Sequence, residues 1–207
     1  SGRNVAALLS DMNQPLGVEV GNALEMKEAI LTLKGEGPED FVEHCLEVAS
    51  EMLLLGKRAE TKSGAREMAI KAISSGEGLV YLRKLIEAQG GDVSYVDHPE
   101  KLPIAPIKAI VEAPKAGNVA EVHARTVGET SVVLGAGRMK KGDPIDLAVG
   151  ISVLVKVGQS VEAGQPMFII HARKAEDVEP ARKALLGAVK IVNEPVAPLP
   201  LFFGLID

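Results

Sequence analysis

The pattern of apolar residues changes near residue 98, and this change favours a fold in two parts. Before residue 98, apolar residues recur at the spacing of amphipathic helices. The predicted helices run over about 22–34, 38–53, 63–74 and 78–89. After it, prolines at 99, 103, 106 and 114 indicate a linker followed by β structure. We therefore predict one part over 1–97, a linker over 98–105 and a second part over 106–207.

The second part is predicted to be a small α+β unit. Short apolar or alternating segments indicate strands at 107–112, 118–123, 149–157 and 167–171, and the Pro-rich segment 195–207 indicates one more. An amphipathic pattern over 175–189 predicts a helix. Several short strands with one helix favour an α+β fold rather than a continuation of the helical part.

The first part opens with a short apolar run, residues 4–10, which is typical of a buried strand in a parallel sheet. The polar segment from Asp11 to Gln14, followed by Pro15, predicts a loop at the carboxyl end of that strand. Ligands of open α/β sheets bind at this end. Asp11 is either a polar anchor of a ligand-binding loop or a turn former that bonds nearby backbone N–H groups. Asn13 and Gln14 are expected to hold the loop.

Composition argues against several functions. The 207 residues include 23 Lys and Arg against 28 Asp and Glu, a net charge of −5. Nucleic acids and anionic membranes attract basic surfaces, so neither is an expected partner. No apolar run approaches the ~20 residues of a membrane span. The single cysteine, Cys45, cannot form an internal disulfide, and it lies on the apolar face of a predicted helix, which favours a core position.

The four histidines, at positions 44, 98, 123 and 171, do not indicate a metal site. No pair has the spacing of a zinc-binding motif, and no cysteine cluster accompanies them. His171 ends a predicted strand, where a lone histidine is more often structural than catalytic.

Several segments, in order along the chain, resemble the pyrimidine-nucleoside and thymidine phosphorylases. They are Ser10–Gly17 with Gly21–Glu25, Gln89–Asp92, Gly135–Arg138, Asp146–Gly150, Val157–Gly164 and Ile170–Ala172. The resemblance covers almost the whole chain but only the C-terminal half of the family's proteins. It implies that residues 1–97 are part of a glycosyltransferase-type α/β domain. It also implies that 106–207 form the family's hammerhead-like α+β C-terminal domain.

The resemblance further implies a site for a monovalent cation, K⁺ in the complete enzyme. Some bacterial members hold such a cation behind the phosphate site with two backbone carbonyls and one carboxylate, which match Leu16, Glu19 and Glu28 here. Oxygen ligands suit a hard cation, and carbonyls require no particular side chain. The remaining ligands belong to the family's N-terminal half. From the sequence alone, without the resemblance, Glu28 is better explained as a solvated helix residue.

A second candidate site is the glycine-Arg loop, defined by Gly135, Gly137 and Arg138 and followed by Lys140 and Lys141. Glycines permit a tight loop, and the nearby cations could attract a phosphate. The spacing matches neither the Walker A pattern nor the dinucleotide-binding pattern. In the resembled family such a loop lies near the mouth of the cleft and orders when the cleft closes. The alternative is a glycine-rich turn with solvated lysines.

The resembled enzymes use phosphate to cleave uridine, thymidine or deoxyuridine into a free base and a pentose 1-phosphate. They act mainly by positioning and charge stabilisation across a closing cleft. Their phosphate and base ligands lie in the N-terminal half, so the resemblance assigns no catalytic or substrate-binding residue to this chain. The chain alone is therefore expected to be inactive.

The resemblance also implies the surroundings of the complete enzyme. Expected partners are the N-terminal half of the same protein, phosphate, a pyrimidine nucleoside and a second subunit in a homodimer. No organic cofactor is expected. A cytoplasmic location and a role in pyrimidine salvage follow from the same resemblance.

Two other functions are compatible with parts of the sequence. Residues 142–171 resemble the strand–turn–strand pattern of biotinyl and lipoyl carriers, which present a modified lysine on a tight turn, with Lys140 or Lys141 as the candidate. The predicted turn at 158–166 contains no lysine, which counts against a carrier. A non-catalytic interaction module is the other alternative.

Overall fold

The computed structural model describes Gly2 and residues 4–206. Ser1 and Asp207, at which the two predicted parts begin and end, lie outside the described residues, as does Arg3. The chain forms two compact units. The first comprises the described residues of Ser1–Asp11, Ala29–Lys101 and Pro200–Asp207, and the second comprises Met12–Glu28 and Leu102–Leu199. The chain passes between the units near the predicted linker and also near residues 11, 28 and 199.

The first unit consists mainly of helices. They are the end of α1 (Asn22–Leu33), then α2 (Glu39–Leu55), α3 (Lys62–Ser74), α4 (Glu77–Ala88) and the single turn α5 (Ser94–Asp97), followed by a short 3-10 turn, Pro99–Lys101. The four longer helices confirm the helical spacing seen in the sequence. Pro38 precedes α2, and the Thr61 hydroxyl caps α3 by accepting the Gly64 N–H.

The predicted parallel strand in the first unit is wrong. Strand β1 (Ala7–Ser10) pairs antiparallel with β9 (Phe202–Ile206), and its side chains alternate between exposed and half-buried, with Leu9 48% exposed. Among the described residues, every strand pairing is antiparallel. A short apolar run does not reveal its neighbours, which here come from the other end of the chain.

The second unit contains two antiparallel sheets. Their strands are β2 (Glu19–Val20), β3 (Ile107–Glu112), β4 (Gly117–Val122), β5 (Gly150–Val153), β6 (Ser160–Val161), β7 (Pro166–Ala172) and β8 (Val189–Val192). One sheet has the order β2-β5-β7-β3 and the other the order β6-β4-β8. Helices α6 (Ala124–Ser131) and α7 (Val178–Gly187) complete the unit.

Most predicted strands of the second unit are confirmed, with some corrections. The predicted strand 149–157 ends at Val153, and the predicted helix 175–189 is a short 3-10 turn followed by α7 and β8. Helix α6 and strand β8 were not predicted. A Gly-containing, Thr-rich helix and a four-residue strand both lack a strong periodic pattern, so local sequence did not indicate them.

The core of the second unit lies around the two central strands β5 and β7. All four residues of β5 are buried. Phe168, Ile170 and Ile151 are fully buried there, and Leu185 of α7 packs in the same cluster. Polar side chains carried by these strands are therefore also held inside the unit.

The described residues thus form a mixed α/β structure with several sheets. The second unit agrees with the predicted α+β fold. The assignment of residues 1–97 to a glycosyltransferase-type α/β domain stays a prediction. Across the part of the chain that the structure describes, none of the helices has the length and apolar character required to cross a membrane.

Candidate functional site

The loop of residues 14–19 lies along β5 and the turn that follows it. Residues on the two segments meet in antiparallel order, continuing the β2–β5 pairing. The Val153 N–H donates to the Val18 carbonyl at 2.7 Å, and the Val157 N–H donates to Gln14 Oε1 at 2.9 Å. Gln14 therefore does hold the loop, as the sequence predicted.

Lys156 fixes the middle of the 14–19 loop. Its ammonium donates to the carbonyl oxygens of Pro15 at 2.5 Å and Gly17 at 2.6 Å. Two carbonyls that converge on one ammonium require a sharp turn, and Gly17 has a φ of +66°, a conformation that favours glycine. A single lysine thus ties two peptide groups of the loop to the end of β5.

Glu28 of α1 contacts the same loop by accepting hydrogen bonds from two of the loop's backbone N–H groups. Its side chain is buried, and Oε1 accepts the N–H groups of Val18 at 2.8 Å and Glu19 at 3.2 Å. A Cβ atom at Gly17 would collide with the Glu28 carboxylate. Glu28 is consequently a buried loop anchor and not a solvated helix residue.

The loop and Glu28 fit part of a site for a hard monovalent cation. The carbonyls at positions 15, 17 and 18 have protein donors, whereas the resemblance assigns the carbonyls of Leu16 and Glu19 to the cation. The Glu19 N–H donates to Glu28, and the N–H and C=O of a strand residue point to the same side of the strand. One carboxylate with two carbonyls is an oxygen-only donor set, as K⁺ requires.

Among the described residues, no three His, Cys, Asp or Glu side chains cluster as a metal site. Any cation site in this region therefore depends on backbone carbonyls. The assignment of Leu16, Glu19 and Glu28 stays a prediction that the local geometry permits.

A buried chain of hydrogen bonds joins β2, β5 and β7 beside the loop. The Ser152 hydroxyl donates to Glu19 Oε2 at 2.7 Å, and Ser152 Oγ lies 2.9 Å from His171 Nε2. Ser152 and His171 are 4% and 5% exposed. Because an ionised carboxylate only accepts, the single Ser152 proton goes to Glu19, and His171 must donate from Nε2. His171 is therefore a structural residue, as expected from its strand-end position.

Burial shifts the pKa values of Glu19 and His171, the two residues at the ends of this series of hydrogen bonds. It lowers the pKa of His171, with the Lys108 ammonium acting in the same direction. It raises the pKa of Glu19, against the opposing effects of the Ser152 hydrogen bond and of the Lys27 and Lys108 ammonium groups. The site consequently favours a neutral imidazole.

The His171 shift predicts a pH dependence of stability. A histidine with a pKa below its ordinary 6.5 in the folded state contributes stability that is present above pH 6.5 and lost as the pH falls through its folded value. Glu19 has the opposite effect, because a carboxyl with a raised pKa loses its contribution to stability as the pH rises above 4.5. The effects of His171 and Glu19 on the stability of the wild type therefore partly cancel. We expect the difference in unfolding free energy between the wild type and His171→Gln to shrink as the pH falls from 7.5 to 5. Urea denaturation at both pH values measures it, and a constant difference would refute the shift.

The glycine-Arg loop follows α6 through a π-helical turn, Val132–Ala136. Gly135 has a φ of +111° within it. Arg138 Nε donates to the Asp143 carbonyl at 3.2 Å, and the Lys140 N–H donates to Asp143 Oδ2 at 3.0 Å. The loop is thus closed by Asp143, while its two lysines are exposed.

Two further contacts attach the glycine-Arg loop to the rest of the second unit. The Asp146 N–H donates to the Gly135 carbonyl at 2.9 Å. The Asp146 carboxylate forms a two-bond ion pair with Arg173 at 2.7 and 2.9 Å, which lowers the pKa of that carboxyl. Asn22, which opens α1, donates to the Ala136 carbonyl at 2.7 Å. The two candidate sites therefore belong to one unit. Its β2–α1 segment contacts the glycine-Arg loop through Asn22 and carries Glu19 and Glu28.

The other residues considered in the sequence have structural contacts. His44 stacks on Phe202 with ring centroids 5.3 Å apart, and His123 caps α6 through its Nδ1. Cys45 is half-buried, and burial raises the pKa of its thiol, so it is not an activated nucleophile.

Lys156 and Ser152 were missed by the sequence analysis. Lys156 immediately precedes the Val157–Gly164 segment that carries part of the family resemblance, which is the only sequence signal for it. Ser152 has no such signal, because one serine in an apolar strand is usually a tolerated small residue. Only the pairing of β2 with β5 brings Glu19 to it.

Comparison with known protein families identifies the class of domain in the second unit. Residues 118–192, which include β4, α6, the glycine-Arg loop, β5, β7 and α7, match the pyrimidine nucleoside phosphorylase C-terminal domain family. The second unit thus contains a domain of that class.

The whole chain extends this result. It is 46% identical over 197 residues to pyrimidine-nucleoside phosphorylases of Staphylococcus aureus strains USA300, NCTC 8325 and COL, over 95% of this chain and 45% of each relative. The chain belongs to the pyrimidine-nucleoside phosphorylase family and corresponds to the C-terminal part of these relatives. It spans about half the length of the curated relatives it matches.

Proposed function

We propose that this chain is the C-terminal part of an enzyme that catalyses phosphorolysis of pyrimidine nucleosides. Phosphate attacks C1′ of the pentose as the glycosidic bond breaks, which yields a free base and a pentose 1-phosphate. The observation that carries the proposal is the 46% identity, over 95% of this chain, to relatives named pyrimidine-nucleoside phosphorylase. Uridine, thymidine and deoxyuridine are the proposed substrates.

The chain's role in this reaction is to position the cleft and not to perform the chemistry. No residue here is assigned to bind phosphate or base. The 14–19 loop, held by Gln14 and Glu28, is proposed to support the phosphate site from behind. The exposed glycine-Arg loop is proposed to close over the cleft, which would exclude water from the reacting groups.

A monovalent cation is proposed to bind at Leu16, Glu19 and Glu28 in the complete enzyme. Support comes from the buried Glu28 carboxylate and from the hydrogen bond that it accepts from the Glu19 N–H. A homodimeric, cytoplasmic enzyme of pyrimidine salvage is proposed on the same family basis.

Reconstitution tests the function. The 207-residue chain is mixed with the part of the S. aureus relative that precedes the matched region. Release of uracil from uridine and deoxyuridine, and of thymine from thymidine, is followed with and without phosphate. We expect phosphate-dependent release by the mixture and none by either part alone.

Complex formation must be measured in the same samples, by size-exclusion chromatography with light scattering. A complex that forms and releases no base from any of the three nucleosides would refute the proposal. An Arg138→Ala chain is the matched variant. It should form the same complex but cleave more slowly, because its loop would lose the contact with Asp143 that orders it.

A further inference from the structure

Lys156 makes a polar contact with the 14–19 loop that the family resemblance does not explain. Its ammonium donates to two carbonyls, Pro15 and Gly17, that lie on either side of Leu16. Each bond joins a charged donor to a peptide oxygen, which makes it stronger than an ordinary neutral hydrogen bond. The lysine therefore holds two peptide groups of the loop, one on each side of the Leu16 carbonyl.

Glu28 holds the same loop through the N–H groups of Val18 and Glu19. The loop is thus held by an ammonium on two of its carbonyls and by a carboxylate on two of its amides. The carbonyls proposed to face the cation, Leu16 and Glu19, are not the ones that Lys156 contacts. The Leu16 carbonyl belongs to the peptide between these two held groups, so fixing both flanking peptides restricts the directions that it can take.

We infer that Lys156 is a positioning residue for the cation loop. It holds the Pro15 and Gly17 carbonyls so that those of Leu16 and Glu19 are presented beside Glu28. This inference rests on the proposed cation site, but the positioning itself can be measured without phosphorolysis.

The test is site-resolved amide hydrogen exchange, by NMR, on the 207-residue chain and its Lys156→Met variant. Loss of the two carbonyl contacts should free the loop and accelerate exchange of the Val18 and Glu19 amides by about tenfold. The fully buried Phe168 and Val111 report global stability, and their exchange should not change. Lys156→Arg, which can also donate two hydrogen bonds, should restore slow exchange.

Lys115→Met is the matched control, because Lys115 is an exposed lysine of the same unit and the substitution removes the same charge. It should leave the Val18 and Glu19 amides unchanged. Unchanged exchange in Lys156→Met, or equal acceleration in both methionine variants, would overturn the inference. So would a failure of Lys156→Arg to restore the wild-type rates.

A second arm of the experiment distinguishes the positioning role of Lys156 from the binding of a cation at the proposed site. Exchange is measured in KCl and in tetramethylammonium chloride at the same ionic strength. K⁺ should slow exchange of the Val18 and Glu19 amides in the wild type and have a smaller effect in Lys156→Met. If K⁺ has no effect on the wild type while Lys156→Met still accelerates exchange, the cation assignment fails and the positioning role stands.

Discussion

Replacing Gly17 with alanine is expected to destabilise the second unit by about 3 kcal/mol. The φ of +66° alone costs an alanine roughly 1 kcal/mol or more. The new Cβ would also displace the Glu28 carboxylate, which would weaken its hydrogen bonds to Val18 and Glu19, and hydrogen bonds to a charged group contribute about 1.5–3 kcal/mol each. The sum makes Gly17 one of the least replaceable positions of the loop.

Gly164→Ala is the control, because Gly164 also has a positive φ, +82°, but no atom lies within 4 Å of the added Cβ. It should cost only about 1 kcal/mol, the backbone term alone. Urea denaturation of both variants measures the difference, with equal m-values required for the comparison. Equal losses for the two alanines would mean that the Glu28 carboxylate moves aside freely and does not anchor the loop.

The helices of the first unit could be predicted because their causes are local. Apolar spacing, Pro38 before α2 and glycines after the helices are all visible in the sequence. Strand β1 could not be predicted correctly, because its partner β9 lies at the far end of the chain. An apolar run indicates extended structure but not the direction or the number of its neighbours.

Only some residues of the candidate site could be predicted from the sequence. Glu28 was named through the family resemblance, and its burial depends on a loop that folds back on α1. Lys156 and Ser152 reach the loop only because β2 pairs with β5 across more than 130 residues of sequence. Contacts of that range are set by tertiary pairing and leave no periodic pattern.

The glycine-Arg loop gives a third case. Its glycines correctly indicated a tight turn, and Gly135 does have a positive φ. The sequence did not indicate that Asp143 would accept from the Lys140 N–H or that Arg173 would pair with Asp146, 27 residues away, because neither partnership leaves a pattern in the sequence. The local backbone conformation could thus be predicted from the sequence, whereas the hydrogen-bond partners of the side chains could not.

Ser152→Ala is the second change with a large expected effect, a loss of about 3 kcal/mol in unfolding free energy. The hydroxyl links Glu19 Oε2 and His171 Nε2 inside the sheet, and its removal leaves both polar atoms without this partner. Leaving a buried polar group unsatisfied costs about 1–3 kcal/mol, and more for a charged one. The loss should be greatest where Glu19 is ionised, because the buried carboxylate then loses the Ser152 donor while it carries a charge.

Ser131→Ala is the matched control for this change. Ser131 is equally buried, but its hydroxyl donates to the Gly128 carbonyl of its own helix, and alanine is a better helix former. It should cost about 1 kcal/mol or less. Urea denaturation of both variants at pH 7.5 makes the comparison. A Ser152→Ala loss no larger than that of Ser131→Ala would mean that Glu19 and His171 find other partners, and that the chain of bonds from β2 to β7 does not hold the 14–19 loop against the sheet.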